Sequence, residues 1–257
     1  MKGLLIKSCL CIVCPTLFFV SCRSGKTSDN TGKPVVVATT GWTAAYAEMA
    51  GAENIVVLAP FEMAHPSEYE LRPGDISVIA DAKIIVYAGY EVMTERLRKG
   101  QDISQDKLLL INTDYSYAII EQSVMTIAEK LGTENLAREN LQDLKRAYDE
   151  GRDALREKNM LGKPVMAHRF QSSVVRELGL NPLVLFGPSS PEAAEIAAAS
   201  REQVFMIIDN IHNPVGQPFR EVLPDRSYVQ LLNFPGREDT RTLADVVRYN
   251  VSQLISE

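Results

Sequence analysis

The chain is 257 residues long, 46% hydrophobic, and carries 33 acidic against 27 basic residues, for a net charge of -6. An acidic balance without a basic stripe argues against a nucleic-acid partner and suits a protein that handles cations, although many inert proteins are equally acidic. At this length and apolar content the chain can bury one large core or two smaller ones.

Met1 to Val20 reads as a secretory signal. Lys2 and Lys7 form a basic n-region, and Leu10 to Val20 is an apolar run too short to span a bilayer comfortably. The run ends in Phe19-Val20-Ser21-Cys22, which looks like a bacterial lipobox with Cys22 as the lipidated residue; Phe19 departs from the usual Leu, and ordinary cleavage or a retained anchor are the alternatives. Cys9, Cys11 and Cys14 lie in the segment that would be removed, so no disulfide framework and no cysteine metal site is expected in the mature chain. Removal also takes two lysines and moves the net charge to about -8. Residues 22–33 are polar and suit a flexible tether between lipid and body.

The body alternates strand-like and helix-like segments. Strands are expected at Pro34 to Thr40, Asn54 to Leu58, Ile84 to Tyr87 and Lys107 to Asn112, with helices at Trp42 to Ala50, Pro73 to Ala82 and Glu91 to Lys99. The strands are continuous apolar runs, as for parallel strands covered on both faces. Residues 118–160 lack proline and repeat charge on a helical period. They predict one long linking helix with a buried stripe of Ile127, Leu131, Leu136, Leu141, Leu144 and Tyr148. Alternation then resumes, with strands at Pro164 to Ala167, Leu183 to Phe186, Val204 to Ile208 and Tyr228 to Leu232. Helices are expected at Gln171 to Leu178, Glu192 to Ser200 and Thr240 to Ile255. The expected organisation is a signal (1–21), a tether (22–33), an N-terminal lobe (34–117), a linking helix (118–160) and a C-terminal lobe (161–257). The fold class is α/β: two βα lobes, each a parallel sheet flanked by helices, joined by one long backbone helix.

Open parallel sheets bind ligands beyond the carboxyl ends of their strands. His65 follows the second strand, Asn112 and Asp114 the fourth, His168 the fifth, Asp209 and Asn210 the seventh, and Asn233 the eighth. Two of the three histidines thus fall at comparable positions in opposite lobes, where His65 and His168 could close on one ion from two sides. Solvated loop histidines give the same pattern. His212, beside Asn213 and Pro214, reads as a surface or cleft-rim residue, and Trp42 as a cleft aromatic or a packing residue at a helix start. The chain has no H-E-x-x-H, no G-x-S-x-G, no phosphate-binding glycine loop and no dinucleotide fingerprint. Ser172 and Ser173 near His168 are weak nucleophile candidates inside an expected helix, so no enzyme is expected.

The segment His65-Pro66-Ser67-Glu68-Tyr69-Glu70-Leu71-Arg72-Pro73-Gly74-Asp75 resembles the "PHxYEPxPxD" signature of the cluster A-I solute-binding family, the metal-binding lipoproteins of zinc and manganese ABC importers. Ala80-Asp81-Ala82-Lys83-Ile84-Ile85-Val86-Tyr87 is similar to that family's "ADLIVYNG", Ala167-His168-Arg169-Phe170 ending at Leu178-Gly179-Leu180 to its "HDAFGYFAxxYGL", and Asp239-Thr240 with Arg248-Tyr249-Asn250 to its closing "DTYxxMMRYN" helix. The resemblance implies a TroA-like periplasmic binding fold. It also implies a lipid-anchored, monomeric protein at the periplasm or cell surface that carries zinc or manganese to an ABC permease. Four side chains would hold the ion between the lobes: His65, His168, and, at low specificity, Asn112 and Asn233, with Asp114, Asp209, Glu68 or His212 as auxiliaries. Two positions depart from the family. Asn112-Thr113-Asp114-Tyr115 stands where relatives carry a histidine, and Asn233 falls at or next to a ligating Asp. Two imidazoles with two amides make a poor zinc site. The same amides suit a polar organic ligand or a metal chelate, with Trp42 and Tyr90 as stacking surfaces. An adhesin-like surface protein is a third reading.

Overall fold

A computed structural model describes residues 35–63, 65–100 and 103–256; Cys22, the expected signal and the tether lie outside the described residues. The first sheet consists of β1 (Val35–Ala38), β2 (Asn54–Val57), β3 (Ile84–Tyr87) and β4 (Leu108–Leu110) in the order β2-β1-β3-β4. The second consists of β5 (Pro164–His168), β6 (Asn181–Phe186), β7 (Met206–Asn210) and β8 (Ser227–Leu231) in the order β6-β5-β7-β8. Every pairing is parallel, with Val36 opposite both Ile55 and Ile84 in the first sheet and Ala167 opposite both Leu185 and Ile208 in the second. The two sheets have the same topology, so the strand order reverses beside β1 in one and beside β5 in the other. Crevices for ligands open at such points.

Helices cover both faces. In the N-terminal lobe these are α1 (Gly41–Met49), α2 (Pro73–Asp81) and α3 (Thr94–Lys99). Thr40 caps α1 by accepting the Thr43 N–H at 3.3 Å, while Pro73 opens α2 where its missing N–H costs nothing. In the C-terminal lobe they are α6 (Ser172–Glu177), α7 (Ala193–Ala199), α8 (Gln217–Val222) and α9 (Leu243–Ile255); the sequence pattern misses α8, a six-residue helix opened by Gln217-Pro218.

The single helix expected over 118–160 forms as two, α4 (Tyr117–Leu131) and α5 (Glu134–Glu157). Gly132 ends α4 in the left-handed region at φ 77°, closing it with an N–H to the Ala128 carbonyl. The break resets the helical phase. Ile127, Leu141, Leu144 and Tyr148 are buried as expected, whereas Leu136 is 43% exposed. The 24-residue α5 carries the link between lobes. Its Gly151 lies so close to α9 that a Cβ there would meet Val251 Cγ2 at 2.6 Å and Leu178 Cδ2 at 2.9 Å.

One apolar core runs through both lobes. Val36, Ile84 and Val86 from the first sheet join Leu141, Leu144 and Tyr148 of α5 and Val165, Ile208 and Leu231 of the second sheet in a single buried cluster. Smaller clusters fill the outer layer of each lobe. A shared core resists large lobe rotation, because packed interiors do not deform continuously. No helix among the described residues is long and apolar enough to cross a membrane.

Candidate metal centre

Seven of the eight strands deliver their carboxyl ends to one cavity of about 560 Å³ between the lobes. Its lining includes Thr40 and Trp42 after β1, His65 after β2, Tyr90 after β3 and Asn112 to Tyr115 after β4. The C-terminal lobe adds Arg169 and Phe170 after β5, Asn210 and His212 at the end of β7, and Asn233 and Phe234 after β8. Arg169 brings the one guanidinium and Asp114 the one carboxyl group to its lining.

His65 is held by its loop. It stands at the start of a short 3-10 turn, Pro66–Glu68, closed by the Glu68 N–H to the His65 carbonyl at 3.0 Å. Behind it, the Asp75 carboxylate accepts from the Arg72 N–H at 2.7 Å and from the Tyr69 hydroxyl at 2.9 Å. Tyr69 and Leu71 are buried, and Arg96 donates to the Leu71 carbonyl at 3.1 Å. The loop is anchored while the exposed imidazole makes no hydrogen bond to any described residue. Both ring nitrogens are therefore free to meet a ligand.

His168 occupies a different place. It is fully buried and does not line the cavity. Its Nδ1 accepts the Phe170 N–H at 3.1 Å, capping the turn that follows β5, and its Nε2 lies against Gly187. A Cβ on Gly187 would sit 2.4 Å from that nitrogen. Burial pushes the imidazole pKa down to about 4. The resemblance assigned His168 to the ion, but in this conformation it braces the wall behind the cleft.

His212 comes to the cavity instead, stacked on Phe234 with ring centroids 4.0 Å apart. Burial, followed by the nearby Arg237 charge, lowers its pKa to about 4. Its Nδ1 accepts the Asn233 N–H at 3.4 Å, which leaves the proton of the neutral ring on Nε2. Nε2 has no hydrogen-bond partner among the described residues.

The amides and acids are largely engaged. Asn112 Oδ1 accepts the Asp114 N–H at 2.9 Å. Asp114 accepts the Ser116 N–H at 2.8 Å on one oxygen and the Ser173 hydroxyl on the other. Asn233 Oδ1 accepts from Gln171, and its carbonyl accepts from the Tyr115 hydroxyl. Asp209 is fully buried away from the cavity. It takes the Asn210 and Gly216 N–H groups at 2.8 and 2.7 Å and the Tyr228 hydroxyl at 2.6 Å, which is structural work. Glu68 is exposed and outside the lining. Among the described residues Ser172 and Ser173 have no histidine partner; they bond the Arg169 carbonyl and Asp114. Among the described residues, no three His, Cys, Asp or Glu side chains gather as a metal cage.

Three contributors were not legible from spacing. Asn250 of α9 brackets Leu232, accepting its N–H at 2.8 Å and donating to its carbonyl at 3.0 Å, and so sets the strand end that carries Asn233. Tyr115 crosses from one lobe to Asn233 in the other, and Tyr148 donates to the Tyr115 carbonyl at 2.7 Å. Burial raises both phenol pKa values, so they act as donors. The only sequence signal was Asn250 within the Arg248-Tyr249-Asn250 motif.

No protein-family model and no curated protein matches the sequence. Solved structures do match the fold. The Mn-bound periplasmic metal binding protein from Candidatus Liberibacter asiaticus superposes with a TM-score of 0.66 at 14% identity, over 87% of this chain and 99% of that one. Its Cd-bound form gives 0.66 at 13%, with the same coverage. The SBP FpvC from P. aeruginosa, in complex with Ni2+, gives 0.71 at 16%, over 87% and 96%. This chain has the fold of periplasmic metal-binding proteins. The two-lobed α/β architecture expected from sequence is the one observed.

Proposed function

We propose that this protein is the extracytoplasmic solute-binding component of an ABC importer, carrying a divalent metal, zinc or manganese, between its lobes and delivering it to a permease. It is not an enzyme in this reading. Cys22 would bear the lipid that keeps it at the periplasmic or outer surface of a bacterial membrane, as a monomer. The observation that supports the reading is His65: a free, solvent-facing imidazole on a rigidly anchored loop, at the mouth of a cleft built from strand ends of both lobes. The structural neighbours with bound Mn, Cd and Ni support the same class of cargo.

Because one core spans both lobes, release would depend on loop and side-chain movement more than on a wide hinge. The residues proposed to meet the cargo are His65 first, then His212, Asn112, Asn233 and Asp114. His168 would need to leave its Phe170 cap to take part. The test is metal analysis of the purified protein and calorimetric titration of wild type and His65→Ala. A metal-dependent signal lost in the variant supports the reading; equal binding in both sinks the role of His65.

A further inference from the structure

The cavity is too large and too poor in ligands for a bare ion. Its volume is about 560 Å³, whereas a water molecule takes roughly 30 Å³ of liquid. Cavities of that size hold small organic molecules. A divalent ion wants about four to six donor atoms. The lining gives one imidazole with free nitrogens, His65, and one carboxylate, Asp114, whose two oxygens already accept from Ser116 and Ser173.

His212 is wired against ligation. A metal-bound histidine donates its other ring N–H outward, which fixes the tautomer. Here the other nitrogen, Nδ1, receives the Asn233 N–H, so Nε2 holds a proton and is a donor. Two further donors on cavity-lining residues also lack a hydrogen-bond partner among the described residues: Trp42 Nε1 and Asn210 Nδ2. A buried donor without an acceptor is costly until one reaches it. All three residues line the same cavity as Arg169. An oxygen-rich anion satisfies such a wall; a cation does not.

We infer that the cargo enters as a divalent cation already held in a small polycarboxylate. His65 completes the metal's coordination while His212 Nε2–H, Asn210, Trp42 and Arg169 take the carboxylate oxygens. This deepens the importer reading and rests on it. The three donor atoms are sealed from solvent in this conformation. Phe234 stacks on His212 and Phe170 stands edge-on to Trp42, so these two rings are the cover that the ligand displaces. Phe170 is partly exposed and packs on Trp42 and His168.

The experiment is calorimetric titration of the purified protein with Zn2+ or Mn2+ alone, with citrate alone, and with equimolar Zn–citrate or Mn–citrate. The expected result is binding of a complex at least about tenfold tighter than its ion or citrate alone, with His65→Ala losing about tenfold or more. Nitrogen NMR of histidine-labelled wild type supplies a readout that needs no variant: His212 Nε2 keeps its proton on loading. Bare ion binding as tightly as its complex overturns the inference and leaves the importer reading standing. Citrate alone binding as tightly as the complex removes the metal from both. If neither ions nor complexes bind, both fall. Loss of the His212 Nε2 proton on loading overturns the division of roles by itself.

Discussion

The two lobes share one strand order and each carries a histidine beyond a strand, His65 after β2 and His168 at the end of β5, yet they use it in opposite ways. In the N-terminal lobe the backbone around His65 is clamped by Tyr69, Asp75 and Arg96, and the ring is left free. In the C-terminal lobe the His168 ring is itself the clamp, capping its own turn and packing under Gly187. The difference teaches that position after a strand does not by itself leave an imidazole free of partners. What decides is whether the neighbouring backbone N–H groups find other partners or take the imidazole.

That contrast can be broken most directly by removing each ring. His168→Ala should lose about 3 kcal/mol of folding stability, from the cavity it leaves and the orphaned Phe170 N–H, measured by urea unfolding. His65→Ala should leave the stability of the ligand-free protein within about 0.5 kcal/mol, because the ring is exposed. It should instead weaken metal-dependent binding about 100-fold, or roughly 2.7 kcal/mol. The reverse pattern, a stable His168→Ala protein that no longer binds, would erase the distinction. Gly187→Ala probes the clamp from its other side. Gly187 sits at φ 71° with His168 Nε2 where a Cβ would go, so the variant should lose about 2 kcal/mol.

The pH dependence sharpens the comparison with a smaller effect. His168 and His212 have pKa values lowered to about 4, against 6.5 in the unfolded chain, so the unfolded state binds more protons between those values. Stability contributed by keeping these rings neutral is present above pH 6.5 and is lost as pH falls toward 4. The slope is at most about 1.4 kcal/mol per pH unit for each ring. His168→Gln should flatten part of that slope in unfolding curves taken across the window.

Much of the architecture was legible. The continuous apolar runs at Ile84 to Tyr87 and Val204 to Ile208 demanded strands covered on both faces, and the parallel sheets bear this out. The Tyr69 to Asp75 motif is readable because its clamp is local: Asp75 reaches a backbone three residues away. The helix break at Gly132 was missed because charge periodicity continues across it, and a glycine in a helical pattern does not announce its φ. The surroundings of the histidines rest on finer detail than spacing carries. His168 and His212 differ by which nitrogen meets which backbone N–H, Phe170 in one case and Asn233 in the other.

Sequence alone therefore determined the alternation of strands and helices, the two-lobe plan and the anchored His65 loop, since each follows from apolar periodicity or from contacts within a few residues. Only the tertiary structure decided that one core joins the lobes, that His212 faces the cavity while His168 turns away, and that Tyr115 ties Asn233 across the cleft. The Tyr115 tie brings together residues 118 positions apart, and the ring roles rest on burial selecting one orientation from several that the chain permits locally.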